Sequence, residues 1–265
     1  MHQQPQASAT TAVDNERRKT LGTLGLFSLM GATGLIGCGG GSTTGGSTSS
    51  SSTTNSTATS ATTTSSALSS SGSCVVIPTE TIGPYPLSTL LNSSMILREN
   101  VAEDKTGVPL QLKLKLVNVN NNCTPISAYV YIWHCDKDGN YSGYGSEAGK
   151  TYCRGVQYTD TSGTAHFTTI YPGWYAGRIT HIHFQIFLSA YGSTAQSSKI
   201  SQLAFPQTIT QAVYNSALYT KGQNTSVTSF AADNVFSDGV EYQMATVTGN
   251  LNEGYVAELA VGLAL

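Results

Sequence analysis

The residues with the clearest chemical potential are two histidines, His181 and His183, separated by one isoleucine. Residues two apart in a β-strand point to the same face, so both imidazoles can reach a single metal ion. Ile182 would then face the protein core. The alternative is a pair of strand histidines that face solvent, and the residues just upstream favour the metal site.

A tyrosine and an arginine, Tyr175 and Arg178, precede this pair on the turn at 172–178 (PGWYAGR). A phenol has a pKa of about 10 and is a poor ligand, but a trivalent hard cation can remove its proton, as metals do for bound thiols and water. Phenolate oxygen with imidazole suits Fe(III) and is a poor donor set for soft metals. The alternatives are a packing role for Tyr175 and a surface ion pair for Arg178.

Period-two patterns rich in β-branched and aromatic residues predict short strands separated by turns. The predicted strands span 110–119, 128–133, 179–188, 240–251 and 255–263, and a hairpin is predicted at 156–167 around the turn 160–163. One short helix is predicted near 208–218, where apolar residues share a face. The domain is therefore predicted to be all-β, with a β-sandwich core, long functional loops and little helix.

The N-terminal region has the pattern of an export signal. Arg17 and Arg18 precede a short apolar run that ends at Ile36, as in a secretory signal of the twin-arginine or the general type. Cys38 follows as in a bacterial lipobox, and the alternative is an ordinary cysteine in a discarded signal. We therefore expect residues 1–38 to be an export signal with a lipobox. The product would be an exported bacterial lipoprotein, anchored to a membrane through Cys38 and either periplasmic or on the cell surface.

Residues 39–73 consist almost entirely of Gly, Ser, Thr, Ala and Asn. Such a segment cannot bury enough apolar surface to offset the entropy of ordering it, so it is predicted to be a disordered tether. One domain remains at 74–265, which is long enough for one sizeable core. The net charge of -2 provides no basic surface for phosphates, which argues against nucleic acid as a partner.

Four cysteines lie in this domain: Cys74, Cys123, Cys135 and Cys153. An exported protein meets an oxidising compartment, so one or two disulfides are expected. Four cysteines allow three complete pairings, and the sequence does not choose among them. A cysteine-ligated metal is the competing interpretation, and the absence of a C-x-x-C spacing disfavours it.

Seven blocks of residues occur in the order found in one known family. They span 78–86 (PTETIGPYP), 130–136 (VYIWHCD), 139–144 (GNYSGY), 154–160 (RGVQYTD), 167–175 (FTTIYPGWY), 177–183 (GRITHIH) and 234–239 (NVFSDG). Together they resemble the intradiol ring-cleavage dioxygenases, and more narrowly their secreted, single-domain branch. The resemblance covers essentially all of 74–265 and implies a prealbumin-like β-sandwich.

The resemblance also implies roles for individual residues. Tyr141 of the G-x-Y-S motif and Tyr175 of the P-G-x-Y turn match the two phenolate ligands of a non-haem Fe(III) centre. His181 and His183 match its imidazole ligands, and Arg178 matches an arginine that stabilises negative charge on the substrate. Tyr175 is expected to leave the metal and act as a base. Four nearby tyrosines lie off the motif positions and rank lower: Tyr144, Tyr152, Tyr158 and Tyr171.

The implied reaction cleaves a catechol-type ring between its two hydroxyl-bearing carbons with O₂, so the expected partners are a small aromatic diol and O₂. Two alternatives are a non-catalytic β-sandwich binding module and a surface lipoprotein that binds iron or a catecholate without turnover. The module would need the T-D-x-x-G and P-G-x-Y turns but not Tyr141, His181 or His183, so these three residues favour the enzyme. The particular catechol and the oligomeric state stay open.

Overall fold

A computed structural model describes residues 74–265 of the chain. The predicted export signal (1–38) and tether (39–73) lie outside the described residues. The strands are β1 (Pro109–Asn118), β2 (Thr124–Pro125), β3 (Tyr129–Trp133), β4 (Arg154–Tyr158), β5 (Thr164–Ile170), β6 (His181–Phe187), β7 (Lys199–Ala204), β8 (Thr246–Asn250) and β9 (Gly254–Leu263). One α-helix, α1 (Gln207–Tyr214), and four short 3-10 helices complete the elements of this region.

These strands form two sheets. In the first, β1 pairs in antiparallel fashion with β2 and β5 and in parallel with β9, and β8 lies beyond β9. The second is antiparallel, with strand order β4-β3-β6-β7.

Apolar side chains from both sheets form one core between them. Members of this core include Leu110, Leu112, Leu114, Val130, Ile132, Ile182, Phe184 and Ile186. They occupy alternate positions of β1, β3 and β6, as expected when one face of each strand is buried. The prediction of an all-β sandwich is confirmed.

The predicted hairpin at 156–167 is wrong. Strand β4 pairs with β3 in the second sheet, and β5 pairs with β1 in the first, so the turn between them crosses from one sheet to the other. Asp160 fixes this turn, since its Oδ1 accepts hydrogen bonds from the backbone N–H groups of Ser162 and Thr164. The turn chemistry was predictable, but it does not determine which strand each arm pairs with.

Two other boundaries differ from the prediction. The segment 240–251 is a strand only over Thr246–Asn250, with a loop before it. Helix α1 confirms the predicted helix but ends at Tyr214, because the chain turns there, and Ser216 donates a side-chain hydrogen bond to the carbonyl of Val213.

The outer face of the second sheet is covered as well. The 3-10 helices Ser88–Asn92 and Ser94–Ile96 and the loop around Tyr191 contribute to a second cluster on this face, which includes Tyr131 and Trp133 of β3. The paired positions Trp133 and His183 place the histidines of β6 on the same outer face. The candidate site therefore lies between the sheet and its covering loops, outside the sandwich core.

Cys74 and Cys123 form a disulfide that joins the start of the described region to the turn between β1 and β2. Cys135 and Cys153 are buried free thiols. The expectation of one or two disulfides is therefore confirmed, with one disulfide present among the four cysteines of this region. No helix within residues 74–265 combines the length and the apolar character needed to cross a bilayer.

Candidate metal centre

The two histidines of the H-x-H pattern begin strand β6 and are both buried. Their side chains project to the same face, and the two Nε2 atoms lie 3.1 Å apart. Ile182 between them is fully buried in the sandwich core. The strand thus gives its apolar residue to the core and presents both imidazoles to one small volume.

Neighbouring groups fix the orientation of both rings. His181 Nδ1 lies 2.6 Å from the carbonyl oxygen of Ile179 and donates to it, which directs the free electron pair of Nε2 toward His183. The His183 ring lies parallel to Trp133, with centroids 4.8 Å apart and an interplanar angle of 4°. Gly83, at φ 71°, passes so close that a Cβ atom there would lie 3.0 Å from His183 Cε1.

The two tyrosines reach the same volume from separate loops. Tyr141 follows a turn in which Asp136 Oδ1 accepts hydrogen bonds from the backbone of Asp138 and Asn140. Its hydroxyl lies 3.5 Å from His181 Nε2. Tyr175 lies on the loop between β5 and β6, and its hydroxyl lies 3.4 Å from the same nitrogen. All four residues predicted as ligands therefore meet around His181 Nε2.

Burial keeps these four groups uncharged when no cation is present. It raises the pKa of Tyr141 well above 10 and raises the pKa of Tyr175 to about 12. Burial, together with the positive charge of Arg178, lowers the pKa of His181 to about 3. The pKa of His183 is lowered well below its usual value by burial and by His181.

This donor set fits a hard metal ion. Donor atoms that share one ion at about 2 Å lie within about 4 Å of each other, and the three distances to His181 Nε2 are 3.1, 3.4 and 3.5 Å. No group of three or more His, Cys, Asp or Glu side chains within 74–265 could hold a metal, so the candidate centre depends on its two phenols.

Arg178 is buried beside this cluster. Its Nε donates to both carboxylate oxygens of Asp233, at 3.2 and 3.0 Å, and its Nη2 donates to Gln202 Oε1 at 2.6 Å. Its Nη1 lies 3.4 Å from His181 Nε2. The arginine therefore forms a buried ion pair rather than a surface one, and the rest of its guanidinium group faces the candidate ligands.

Asp233 and Gln202 were not singled out from the sequence. Asp233 is fully buried and accepts hydrogen bonds from the backbone of Ile179, Val235 and Phe236. It directly precedes the block at 234–239, which was the available signal. Gln202 lies opposite His183 on β7, and no local pattern distinguishes it.

An open cavity of about 250 Å³ lies beside the two tyrosines of the candidate centre. Its walls include Tyr85, Tyr141, Tyr144 and Tyr175. The hydroxyl of Tyr144 accepts a hydrogen bond from the backbone of Leu87. Aromatic walls of this kind suit a flat aromatic molecule.

The other three nearby tyrosines lie elsewhere. Tyr171 is in the sandwich core against Phe205, Tyr158 is exposed, and the amino group of Lys105 lies over the ring of Tyr152.

The dioxygenase family model matches residues 83–244 of the chain. The solved structure of an intradiol ring-cleavage dioxygenase from Tetranychus urticae is similar, with 27% identity, a TM-score of 0.63, and coverage of 72% of this chain and 95% of that chain. A second dioxygenase crystal structure matches with 26% identity, the same TM-score of 0.63 and the same coverage of 72% and 95%. Among curated protein sequences, none matches this chain.

The fold and the family match together define the class of protein. This chain belongs to the dioxygenase family, and its structural relatives are intradiol ring-cleavage dioxygenases.

Proposed function

We propose that this protein is a non-haem Fe(III) dioxygenase that cleaves a catechol-type ring between its two hydroxyl-bearing carbons with O₂. The observation that carries the proposal is the convergence of two phenol oxygens and two imidazole nitrogens around His181 Nε2. Phenolate and imidazole donors together suit Fe(III), and the family is one of ring-cleaving dioxygenases.

Tyr141, Tyr175, His181 and His183 would hold the iron. When bound, the metal would act as a Lewis acid that binds the diol and promotes loss of its protons. Both histidines are neutral at physiological pH, because burial lowers the pKa of each. They therefore present free electron pairs to a cation without first losing a proton.

Tyr175 is the better candidate for the base that accepts a substrate proton. It is half-buried and lies on a loop at the cavity wall, whereas Tyr141 is 5% exposed. Burial raises the pKa of Tyr175 to about 12, so its phenolate would be a strong base once freed from a cation. Proton transfer from a substrate hydroxyl to the Tyr175 oxygen would then be favourable.

Arg178 would stabilise negative charge that develops on the substrate. Its ion pair with Asp233 and its hydrogen bond to Gln202 hold the guanidinium in place before substrate binds. A preorganised cation in a water-poor site stabilises developing charge strongly, since it does not reorganise during the reaction.

The visible spectrum of the iron-loaded protein, recorded under air before and after catechol is added, tests the proposal. Tyrosinate bound to Fe(III) gives a coloured charge-transfer band. We expect a band that shifts with catechol and recovers as a muconate product forms. Tyr141→Phe and Tyr175→Phe should each weaken the band, and Tyr158→Phe, at an exposed tyrosine, should leave it unchanged.

Two other results would contradict the enzyme. A band that shifts without turnover across a panel of catechols would indicate a surface catecholate binder. A protein that takes up no iron would leave a non-catalytic β-sandwich binding module as the better description.

We also propose that the domain is exported and anchored through a lipid on Cys38, with residues 39–73 as its tether. The support is the lipobox-like sequence before Cys38. Lipid attachment adds enough apolar surface for stable membrane binding when more than one chain is present. Cells fed a labelled fatty acid should label the wild type, and Cys38→Ala should lose the label and leave the membrane fraction. Label retained in the variant would contradict the anchor.

A further inference from the structure

Arg154 on strand β4 is fully buried. Its guanidinium donates to four neutral acceptors: Ser142 Oγ at 2.8 Å, the Ser142 carbonyl at 2.8 Å, the Tyr85 carbonyl at 2.8 Å and the Tyr131 hydroxyl at 3.2 Å. None of the ion pairs within 74–265 includes it. A buried charge without a counter-charge is destabilising, so a negative charge close to Arg154 would stabilise it.

Two of these acceptor residues support Tyr141 directly. Ser142 follows Tyr141 in the chain, and Arg154 binds both its hydroxyl and its carbonyl. The ring of Tyr85 stacks on the ring of Tyr141, with centroids 4.6 Å apart and an interplanar angle of 26°. One guanidinium group therefore holds the backbone beside Tyr141 and the segment that carries its stacking partner.

The remaining acceptor residue, Tyr131, is connected to the histidines through stacked aromatic rings. Tyr131 stacks on Trp133 at 5.1 Å, and Trp133 stacks on His183 at 4.8 Å. Arg154 thus connects two aromatic stacks, one that ends on a phenol of the candidate centre and one that ends on an imidazole. Arg178, in contrast, approaches the centre directly and has Asp233 as its counter-charge.

The guanidinium carbon of Arg154 lies 5.9 Å from the ring centroid of Tyr141 and 5.7 Å from that of Tyr144. A cation at this distance is attracted to an aromatic ring. It would be attracted more strongly to a phenolate, which carries the negative charge that Arg154 lacks among its other neighbours.

We propose that Arg154 is a positioning residue of the iron centre, which holds Tyr141 in place and balances the charge of its phenolate when the metal is bound. This inference rests on the proposed function. Loss of a supporting residue around a metal typically lowers metal affinity about 10–100-fold. We expect that range for Arg154→Met, measured as Fe(III) affinity by competition with a chelator.

The charge-transfer band gives a readout that a purely structural role would not move. Without the nearby cation the phenolate is easier to oxidise, so the band of Arg154→Met should shift to longer wavelength. Arg154→Lys keeps the charge but loses the planar set of donors. It should have an intermediate affinity and a band close to that of the wild type.

Lys113→Met is a control for the loss of one positive charge, because Lys113 lies on β1 of the other sheet and pairs with Glu258. It should leave both iron affinity and the band unchanged. Ser142→Ala provides a second test if Arg154→Met does not fold, since it removes one acceptor and keeps the charge. It should weaken iron binding about tenfold, at the low end of the range for supporting residues.

Variants at Arg154 and Ser142 that match the wild type in affinity and band would overturn the inference. A loss of thermal stability with an unchanged band would also overturn it, since this result would indicate packing alone. These outcomes require a wild type that binds iron. If the wild type takes up none, the proposed function fails before Arg154 is tested.

Discussion

Strand β6 has two faces with opposite chemistry. Its inner face gives Ile182, Phe184 and Ile186 to the core between the sheets, whereas its outer face gives His181 and His183 to the candidate centre. In the core, the hydroxyls of Tyr171 and Tyr219 have partners, the Thr210 hydroxyl and the Tyr171 carbonyl. Ser201 Oγ, opposite Phe184 on β7, has none within 74–265. On the outer face, His183 Nδ1, Trp133 Nε1 and Gln185 Oε1 have none within 74–265.

The two faces of β6 therefore have different roles. The inner face stabilises the fold, and the outer face carries the candidate ligands. Buried polar atoms are nearly always hydrogen-bonded in native proteins, and exceptions tend to mark chemistry, bound water or an ion. The core face determines how the sheets pack, and the outer face uses the resulting rigid strand to hold donor atoms a few ångströms apart. Substitutions on the two faces should therefore have distinct consequences.

The largest functional effect is expected for His183→Ala. It removes one imidazole donor, so the loss of Fe(III) affinity should exceed the about 100-fold that follows loss of a supporting residue. Turnover should fall to the level of the metal-free protein. The free energy of unfolding of the metal-free variant should fall less than that of Phe184→Ala, because the His183 ring stacks on Trp133 but its Nδ1 has no hydrogen-bond partner in the described region to lose. Chelator competition and denaturant titration measure the two quantities.

Phe184→Ala, at the next residue of β6, should lower stability and leave iron binding largely unchanged. Phe184 is fully buried in the core, and truncation of a buried phenylalanine costs about 3–5 kcal/mol of stability. Iron affinity and the charge-transfer band of the folded fraction should remain near wild type. If Phe184→Ala abolished iron binding while the protein stayed folded, the separation of the two faces would be wrong.

Arg178→Gln should act on the reaction rather than on metal binding. Loss of a preorganised group that stabilises developing charge typically lowers kcat about 100–1000-fold. The KM for catechol should change little if the arginine acts mainly in the transition state. Steady-state kinetics would measure this, and a raised KM with unchanged kcat would assign Arg178 to substrate binding instead.

A smaller effect, on the pH dependence of stability, is expected from His134, which directly follows β3 and is not one of the candidate ligands. Burial lowers its pKa to about 4, and its two ring nitrogens contact the Cys135 carbonyl and the Thr169 hydroxyl. The unfolded chain takes up the proton at a pKa of about 6.5. Stability should therefore fall as the pH drops from about 6.5 to 4, by on the order of 3 kcal/mol from this residue.

Denaturant titrations of the metal-free wild type and His134→Gln across this pH range would test that expectation. The substitution also removes the electrostatic effect by which His134 lowers the pKa of His181 and His183, so the comparison measures His134 together with this coupling. The variant should have the shallower dependence of stability on pH, and equal slopes would show that His134 does not titrate as its burial implies.

The sequence predicted the elements whose signal is local. The period-two leucines of β1 and the H-x-H pattern of β6 were sufficient to predict strands and a shared face for the histidines. Tyr141 was identified from a motif rather than from spacing, since it lies 40 residues before His181. The pairing of β4 and β5 was mispredicted because a turn sequence reverses the chain without determining the sheet that each arm joins.

The surroundings of the centre depend on long-range contacts. Arg178 meets Gln202 and Asp233 across 24 and 55 residues, and Arg154 meets the Tyr85 carbonyl across 69. No local periodicity marks such partners, because each is selected by the way the two sheets and their loops pack. The candidate ligands could therefore be predicted, whereas the residues that orient them required the structure.

The most direct test of the central claim is anomalous diffraction at the iron edge from crystals of the iron-loaded protein. We expect one strong peak, bounded by the hydroxyl oxygens of Tyr141 and Tyr175 and by the Nε2 atoms of His181 and His183. A peak elsewhere in the domain, or iron-loaded crystals with no peak among these four residues, would contradict it.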